Sequence, residues 1–279
     1  MWVFKLLLIV AAGSAGIVAL LYFTQTRMLF PTGLASLDQP VLPDSAVRLE
    51  VVTADRTHLR GVHLPAVAGS DTSQLVLLGF GGNAWNADSL AAYLNALLPD
   101  ADVVTFHYRG YRPSDGRPSA AALLADAPLV YDHVAKHLGT ESIVAVGFSI
   151  GSGVATHLAA QRPLAGLVLV SPFDSLEALA REHYPWMPVG WLLRHRIATA
   201  EDLRGVTAPT AVIAAENDTI VPPRRTEAVR SAIANLFLDR TIAGADHNDL
   251  YGQPDFQATM VEAIERLRRT AEGGSNNLR

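Results

Sequence analysis

The pentapeptide Gly147-Phe148-Ser149-Ile150-Gly151 constrains the fold of this chain more than any other stretch. It lies between an apolar segment typical of a strand, 143–146, and one typical of a helix, 154–160. A serine at such a junction takes a strained backbone conformation, and the flanking glycines let strand and helix approach without Cβ clashes. The sequence therefore predicts a nucleophilic Ser149 at a helix N-terminus, where the amide of Ile150 faces an oxyanion.

After residue 74, short apolar strands alternate with amphipathic helices. This pattern predicts a mostly parallel sheet covered by helices on both faces. Two alternating segments before it, 47–52 and 58–64, predict a hairpin that turns at residues 54–56. The other predicted strands are 75–80, 102–107, 142–147, 165–170, 210–215 and 235–242, and the predicted helices are 88–98, 120–138, 152–160, 224–233 and 255–269.

Two later loops offer partners for Ser149. A serine hydroxyl needs a nearby base, and the base needs an orienting carboxylate. Asp218 follows the strand that ends at residue 215, and His247 follows the last strand, so both lie where loops leave the carboxyl ends of parallel strands. Asp218 could instead only cap the helix that follows it. Three other carboxylates in such loops stay open as the orienting acid: Asp174, Glu216 and Asp246.

The loop after the strand at 75–80 predicts the second oxyanion donor. Its glycines would let a backbone amide face the serine, and we expect that amide to belong to Asn83, with Gly82 as the alternative. Residues 79–84 also match a G-x-G-x-x-A dinucleotide fingerprint between a strand and a helix. In that interpretation Arg109, after the next strand, would bind a cofactor 2′-phosphate, while Ser149, Asp218 and His247 would stay unexplained.

The N-terminus carries an uncharged apolar run from 6 to 23. As a helix at ~1.5 Å per residue it would be about 27 Å long, close to the ~30 Å hydrocarbon core of a bilayer. We predict a single-pass membrane anchor at 1–26 and a linker at 27–46; a cleaved signal peptide with small residues at 12–15 is the alternative. Lys5 and the α-amino group precede the run and Arg27 follows it. This small excess of positive charge before the run mildly favours the N-terminus inside and the domain outside the cytoplasm.

Composition excludes several classes of function. The net charge of −5 makes nucleic acid an unexpected partner. The absence of cysteine excludes thiolate catalysis and cysteine-ligated metals. No cofactor and no metal are expected. The catalytic domain is predicted at 47–270, with an inserted cap at about 172–205 where prolines and tryptophans interrupt the alternation, and a disordered tail at 271–279.

Several motifs together resemble one family. They run in the family's order through nearly the whole chain after the anchor: 80–86, His107-Tyr108-Arg109-Gly110-Tyr111, 114–116, 147–151, 171–173, 218–222 and 244–249. The chain resembles the α/β-hydrolase superfamily, in the branch of membrane-anchored α/β-hydrolase-domain proteins related to monoacylglycerol lipases, protein depalmitoylases and serine-aminopeptidase-like hydrolases. Even residues 27–31 are similar to the segment after the anchor in that branch.

The resemblance implies an α/β-hydrolase fold with a small helical cap and a Ser149–His247–Asp218 triad. It implies a serine hydrolase that cleaves carboxylic esters or thioesters of small-molecule, lipid or acyl substrates. A serine peptidase of the aminopeptidase-like type is the alternative, and a catalytically idle, membrane-tethered binding protein on the same scaffold is another. In the cap, the aromatic-rich segment 184–193 is interpreted either as an acyl-pocket lid or membrane-facing surface, or as ordinary packing.

Three residues depart from the branch pattern. Gly81 stands where the branch has histidine, and Trp85 stands where a glycine is common. We expect these two substitutions to affect the orientation of the oxyanion loop and the size of the substrate pocket. His107 stands where the branch has aspartate, and we expect it to alter a structural contact.

Overall fold

A computed structural model of the protein describes residues 1–38, 40–67 and 75–276, with side chains described as far as residue 271. Within these residues the strands are β1 (Val47–Val52), β2 (His58–Leu64), β3 (Val76–Phe80), β4 (Asp102–Phe106), β5 (Ile143–Phe148), β6 (Gly166–Val170), β7 (Thr210–Ala215) and β8 (Leu236–Ile242). They form an eight-stranded sheet in the order β1-β2-β4-β3-β5-β6-β7-β8. β1, β2 and β4 pair antiparallel, and neighbours from β4 to β8 run parallel. Each predicted strand is confirmed to within one residue at either end.

Helices cover both faces of this sheet, as predicted. The described helices are α1 (Trp2–Leu29), α2 (Thr32–Ala35), α3 (Ala87–Leu97), α4 (Ala120–Leu138), α5 (Ile150–Ala159), α6 (Leu176–His183), α7 (Val189–Leu192), α8 (Thr199–Asp202), α9 (Pro223–Arg230) and α10 (Pro254–Asn276), with a 3₁₀ turn at Leu250–Gly252. α4, α5 and α9 pack on one face, and α3 and α10 pack on the other. Alternate residues of β3 enter the two cores, Leu78 with the first and Leu77 with the second, because successive strand side chains point to opposite faces.

The segment between β6 and β7 departs from the βα alternation, as expected of an inserted cap. It carries the three short helices α6, α7 and α8. Ser175 begins α6 by accepting a hydrogen bond from the amide of Ala178, a standard N-cap. α7 and α8 begin at Pro188 and Ala198 without a side-chain cap, so α6 is the one cap helix of the described chain that starts at such a bond.

The N-terminal helix α1 is long and apolar enough to cross a membrane by length and composition, and none of its residues is buried. It runs three residues past the predicted end of the anchor at residue 26. The region predicted as a linker is not a free spacer, since Phe30 and Ala35 are buried in the protein core. Phe30 packs edge-on against the ring of His195 in the cap region. Burial of these apolar side chains fixes the path of the chain after α1.

The C-terminal end differs from the prediction of a disordered tail at 271–279. α10 continues to Asn276, and only residues 277–279 lie outside the described part of the chain. The earlier turns of α10 are packed through Phe256, Met260 and Ile264. Because these turns are already formed, each further residue adds a hydrogen bond without a new nucleation cost.

Candidate active site

Ser149 stands between the last residue of β5 and the first residue of α5, as the elbow motif predicted. Its φ of 52° and ψ of −117° lie outside the common regions for an L-residue, a strain found at functional turns. The glycines on either side are required by the close approach of strand and helix. A Cβ on Gly147 would lie 2.5 Å from the carbonyl oxygen of Gly151, and one on Gly151 would overlap the carbonyl oxygen of Phe80.

The structure brings Ser149, His247 and Asp218 together in one hydrogen-bonded row. His247 Nε2 lies 3.1 Å from Ser149 Oγ, and His247 Nδ1 lies 2.7 Å from Asp218 Oδ2. The other carboxylate oxygen of Asp218 accepts hydrogen bonds from the amides of Ile220 and Val221, at 3.0 and 2.7 Å. These two amides fix the carboxylate in the orientation that faces the imidazole. Asp218 and His247 are buried, whereas Ser149 is partly open to solvent.

The three alternative acids point elsewhere. Asp174 pairs with Arg225 at 3.0 Å, and Glu216 accepts the amide of Gly244 at 2.8 Å. Asp246, although next to His247 in sequence, caps its own loop by accepting the amides of Asn248 and Asp249. Among the residues described, Asp218 is thus the carboxylate that hydrogen bonds to His247.

The predicted oxyanion loop lies against the serine. A Cβ on Gly82 would be 3.8 Å from Cβ of Ser149, an ordinary contact distance, so this loop and the elbow are neighbours. Residues 82–85 form a turn closed by a hydrogen bond of 3.2 Å from the amide of Trp85 to the carbonyl of Gly82. Asn83 occupies the exposed tip of that turn. Ile150 begins α5, and the amide at that helix position has no intrahelical acceptor.

Two tyrosines that the sequence analysis did not single out as site residues hold this loop. Tyr108 donates its hydroxyl to the carbonyl of Gly81 at 2.9 Å, and Tyr111 donates to the carbonyl of Asn83 at 2.6 Å. Burial raises the pKa of both phenols, so each stays a protonated donor at physiological pH. They belong to the 107–111 motif, but nothing local in the sequence links that motif to a loop more than twenty residues earlier.

Trp85 lies beside the elbow and links the oxyanion loop to the loop that carries His247. Its ring is 5.0 Å from the ring of Phe148 and 5.0 Å from that of Tyr251. Tyr93 completes the group and donates its hydroxyl to the carbonyl of Tyr251 at 2.9 Å. These packed aromatic rings tie three separate chain segments together next to Ser149.

His107 makes a structural contact away from the triad. Its ring lies 3.2 Å from Asp88 in the first turn of α3, and Asp88 also pairs with Arg48 at 2.7 Å. Burial alone would raise the pKa of Asp88, but the hydrogen bonds from His107 and Arg48 outweigh it and hold the pKa below its usual value. His107 therefore takes part in fastening α3 to β1.

The residue proposed for a cofactor 2′-phosphate is already paired. Arg109 contacts both oxygens of Asp126, at 2.7 and 3.0 Å, and also pairs with Asp55. A phosphate would compete with two carboxylates for this guanidinium. The glycine loop itself faces Ser149 rather than the Arg109 side chain, which supports the oxyanion interpretation over the dinucleotide one.

Comparison with known proteins decides the family. The family model for the α/β hydrolase fold matches residues 75–205. The uncharacterized protein Rv2307c of Mycobacterium tuberculosis is 35% identical over 267 residues, which cover 93% of this chain and 92% of that protein. The chain belongs to the α/β-hydrolase superfamily. Membership of this family makes it a hydrolase.

Two further relatives refine this result. The lysophosphatidylserine lipase ABHD12 of Danio rerio is 32% identical over 138 residues, which cover 43% of this chain and only 36% of that lipase. The likeness supports the predicted α/β-hydrolase-domain branch but spans about a third of the relative. The solved structure of the Pyrococcus furiosus esterase Pf2001 has a TM-score of 0.64, at 15% identity over 82% of this chain and 96% of the esterase. At that identity the likeness shows the fold alone.

Proposed function

We propose that this hydrolase cleaves carboxylic esters or thioesters of lipid or acyl substrates, with Ser149 as nucleophile, His247 as general base and Asp218 as the orienting acid. The observation that carries the proposal is the position of His247. One ring nitrogen lies 3.1 Å from the serine hydroxyl and the other lies 2.7 Å from the buried carboxylate. A serine becomes nucleophilic in this arrangement because the imidazole can accept its proton.

The chemistry follows from these positions. His247 Nε2 takes the proton as Ser149 Oγ attacks the acyl carbonyl, and Asp218 holds the other ring nitrogen protonated and correctly turned. His247 then gives the proton to the leaving alcohol or thiol, which leaves an acyl-enzyme. Water then attacks the acyl carbonyl and loses a proton to His247. His247 returns this proton to Ser149 Oγ as the bond between Oγ and the acyl group breaks and the acid leaves.

The oxyanion formed in each step needs donors that are already in place. The amide of Ile150 at the start of α5 and the amide of Asn83 in the loop after β3 are the two we propose. Loss of one such donor typically raises the barrier by ~3 kcal/mol. The hydrogen bonds from Tyr108 and Tyr111 support this role, since they fix the carbonyls on either side of Gly82.

The lipid character of the substrate rests on two observations. One relative, matched over part of its length, is a lysophosphatidylserine lipase. The second is α1, which has the length and composition of a membrane span. We propose that α1 anchors the protein in a membrane through a single pass. The small excess of positive charge before the span, from Lys5 and the α-amino group against Arg27 after it, favours a catalytic domain outside the cytoplasm.

A hydrolysis assay on the purified full chain tests this proposal. We expect p-nitrophenyl esters and acyl thioesters to be cleaved by the wild type and not by Ser149→Ala. The matched control is Ser231→Ala, because Ser231 is exposed at the C-terminal cap of α9 and its hydroxyl donates to the carbonyl of Glu227. This variant should keep full activity. Equal activity in Ser149→Ala contradicts the proposal, and cleavage of aminoacyl amides without ester cleavage favours the peptidase alternative.

A further inference from the structure

A cavity of about 400 Å³ lies between the C-terminal part of α1 and the cap helices α6 and α7. Its lining is largely aliphatic. The residues that matter most to the argument are Leu21 and Leu29 from α1, Ala180 and Met187 from the cap, and Ile220 from the loop that carries Asp218. The anchor helix therefore forms one wall of this cavity, which is partly open to the surface.

This space is too large to be a packing void. Protein interiors hold few voids larger than one water, whose share of liquid volume is ~30 Å³, whereas ligand pockets range over ~300–1,000 Å³. Water has few partners there, because two polar side chains of the lining, Gln25 and His183, are already engaged. Gln25 donates to the carbonyls of Tyr22 and Leu192 and accepts from the amide of Arg194, and the His183 ring bonds to the carbonyl of Ile220.

The lining selects a hydrocarbon chain. Flexible methionine and leucine side chains adapt to an unbranched apolar ligand and offer it no charged partner. Leu21 and Tyr22 belong both to this lining and to the helix that could cross a membrane, whose residues 6–10 are exposed and apolar. A chain from a bilayer could thus enter along α1 without passing through water.

The rim of the cavity has the composition of a membrane interface. Trp191 is 92% exposed and Trp186 is 58% exposed on the cap beside it. The guanidinium of Arg194 stands 5.7 Å from the ring centre of Tyr22. Exposed tryptophans and arginines are the residues that sit among lipid headgroups.

Ile220 connects this cavity to the proposed catalytic residues. Its side chain lines the cavity, its amide donates to Asp218 at 3.0 Å, and its carbonyl accepts from the His183 ring of α6 at 2.8 Å. A residue of the cavity lining is thus hydrogen bonded to Asp218, the acid that orients His247. If the acyl chain leaves Ser149 past Ile220, a long chain reaches this cavity and a short one does not.

We propose that this cavity binds the acyl chain of a lipid ester whose carbonyl lies at Ser149, with the anchor helix as one wall of the substrate site. The inference rests on the proposed serine-hydrolase function and adds where the acyl chain binds. α1 is then more than a tether: it is fixed to the cap by Gln25 and by the hydrogen bond of 2.8 Å between Thr26 and His195, and it shapes the site.

Chain-length profiles of the full-length protein in detergent micelles test it. For p-nitrophenyl butyrate, octanoate, laurate and palmitate, kcat/KM of the wild type should rise with chain length. In Ala180→Phe, which adds a ring to the cavity wall, the laurate-to-butyrate ratio should fall at least about tenfold, the equivalent of roughly two buried methylenes. Met187→Trp should act in the same way. Ala178→Phe is the matched control, since Ala178 lies on the same helix outside the lining and should keep the wild-type ratio.

Photo-crosslinking of Ser149→Ala protein with a diazirine analogue of palmitic acid separates binding from turnover. We expect crosslinks on residues 21–29, 184–193 and 220 that Ala180→Phe removes. An unchanged laurate-to-butyrate ratio in both cavity variants overturns the inference, and so do crosslinks confined to residues 6–10. If the wild type cleaves no ester, the proposed function is contradicted instead. The crosslink pattern then still tests whether the cavity binds an acyl chain.

Discussion

At the scale of single residues, one carboxylate among several loop acids, Asp218, contacts His247. Sequence spacing alone left Asp174, Glu216 and Asp246 open beside Asp218. The structure separates them through contacts that lie far apart in sequence, such as the pairing of Asp174 with Arg225. Spacing could place all four in loops at the correct end of the sheet, but it could not say which side chain turns toward His247.

Asp218→Asn should lower kcat by about 10³–10⁴-fold, because an amide donates to the imidazole and favours the wrong tautomer. Asp246→Asn is the control next to His247. Its remaining carbonyl oxygen can still accept the amides of Asn248 and Asp249, so activity should stay close to that of the wild type. Steady-state hydrolysis of a short-chain ester by the two variants measures the difference. Equal losses in both would contradict the assignment of Asp218.

Tyr111→Phe removes the hydrogen bond that holds the carbonyl of Asn83. We expect kcat to fall about fivefold with little change in KM, the effect of roughly 1 kcal/mol lost from the positioning of an oxyanion donor. Tyr131→Phe removes a comparable bond of 2.7 Å to the carbonyl of Pro163, on the edge of the domain away from the elbow. It should lower stability slightly and leave kcat unchanged. A similar kcat for both variants would mean that Tyr111 does not position the loop.

At the scale of elements, the strands and main helices could be predicted because their apolar patterns are local. The oxyanion loop, the cap and the segment after α1 could not be predicted to the same detail. Their positions depend on long-range partners, such as the bond between Gln25 and the carbonyl of Leu192, 167 residues apart. The sequence did not predict that α10 continues past residue 270, because this too depends on packing elsewhere. Extension of a helix from turns that are already packed overrides the poor helix propensity of Gly273 and Gly274.

His195 joins three of these elements. Its Nε2 bonds to Thr26 of α1, its Nδ1 accepts the amide of Ala120 at the start of α4, and its ring packs on Phe30. Because Nδ1 accepts the Ala120 amide, the proton of the neutral ring is on Nε2, and Nε2 donates it to the Thr26 hydroxyl. Burial lowers the pKa of His195, and the charge of Arg194 lowers it further.

The pH dependence follows from the sign of that shift. Because the folded pKa lies below the unfolded value of ~6.5, the unfolded chain binds more protons as the pH falls through that value. The contribution of His195 to stability is full above pH ~6.5 and is lost below it. The Tm advantage of the wild type over His195→Gln, a few degrees, should therefore shrink between about pH 7.5 and about pH 5.5. Thermal unfolding of both proteins in the same detergent measures it, and an advantage that grows at low pH would contradict the account.

At the scale of the whole molecule, we propose a hydrolase whose substrate site includes the helix that anchors it in a membrane. We expect the full chain to stay with membranes in high salt and in alkaline carbonate, because an apolar helix rather than surface charge would hold it. The mass of the purified protein should include residues 1–26. Release by salt, or an N-terminus near residue 16, would favour a peripheral protein or a cleaved signal peptide.

The central claim is that Ser149 is activated by His247. Labelling of the folded full-length protein with a fluorophosphonate probe tests it most directly, since the probe reacts with activated serines. The account predicts strong labelling of the wild type, mapped by peptide mass to residue 149, and its loss in both Ser149→Ala and His247→Ala. A folded wild type that is not labelled, or labelling that persists in His247→Ala at the wild-type rate, would contradict it and favour the idle-scaffold alternative.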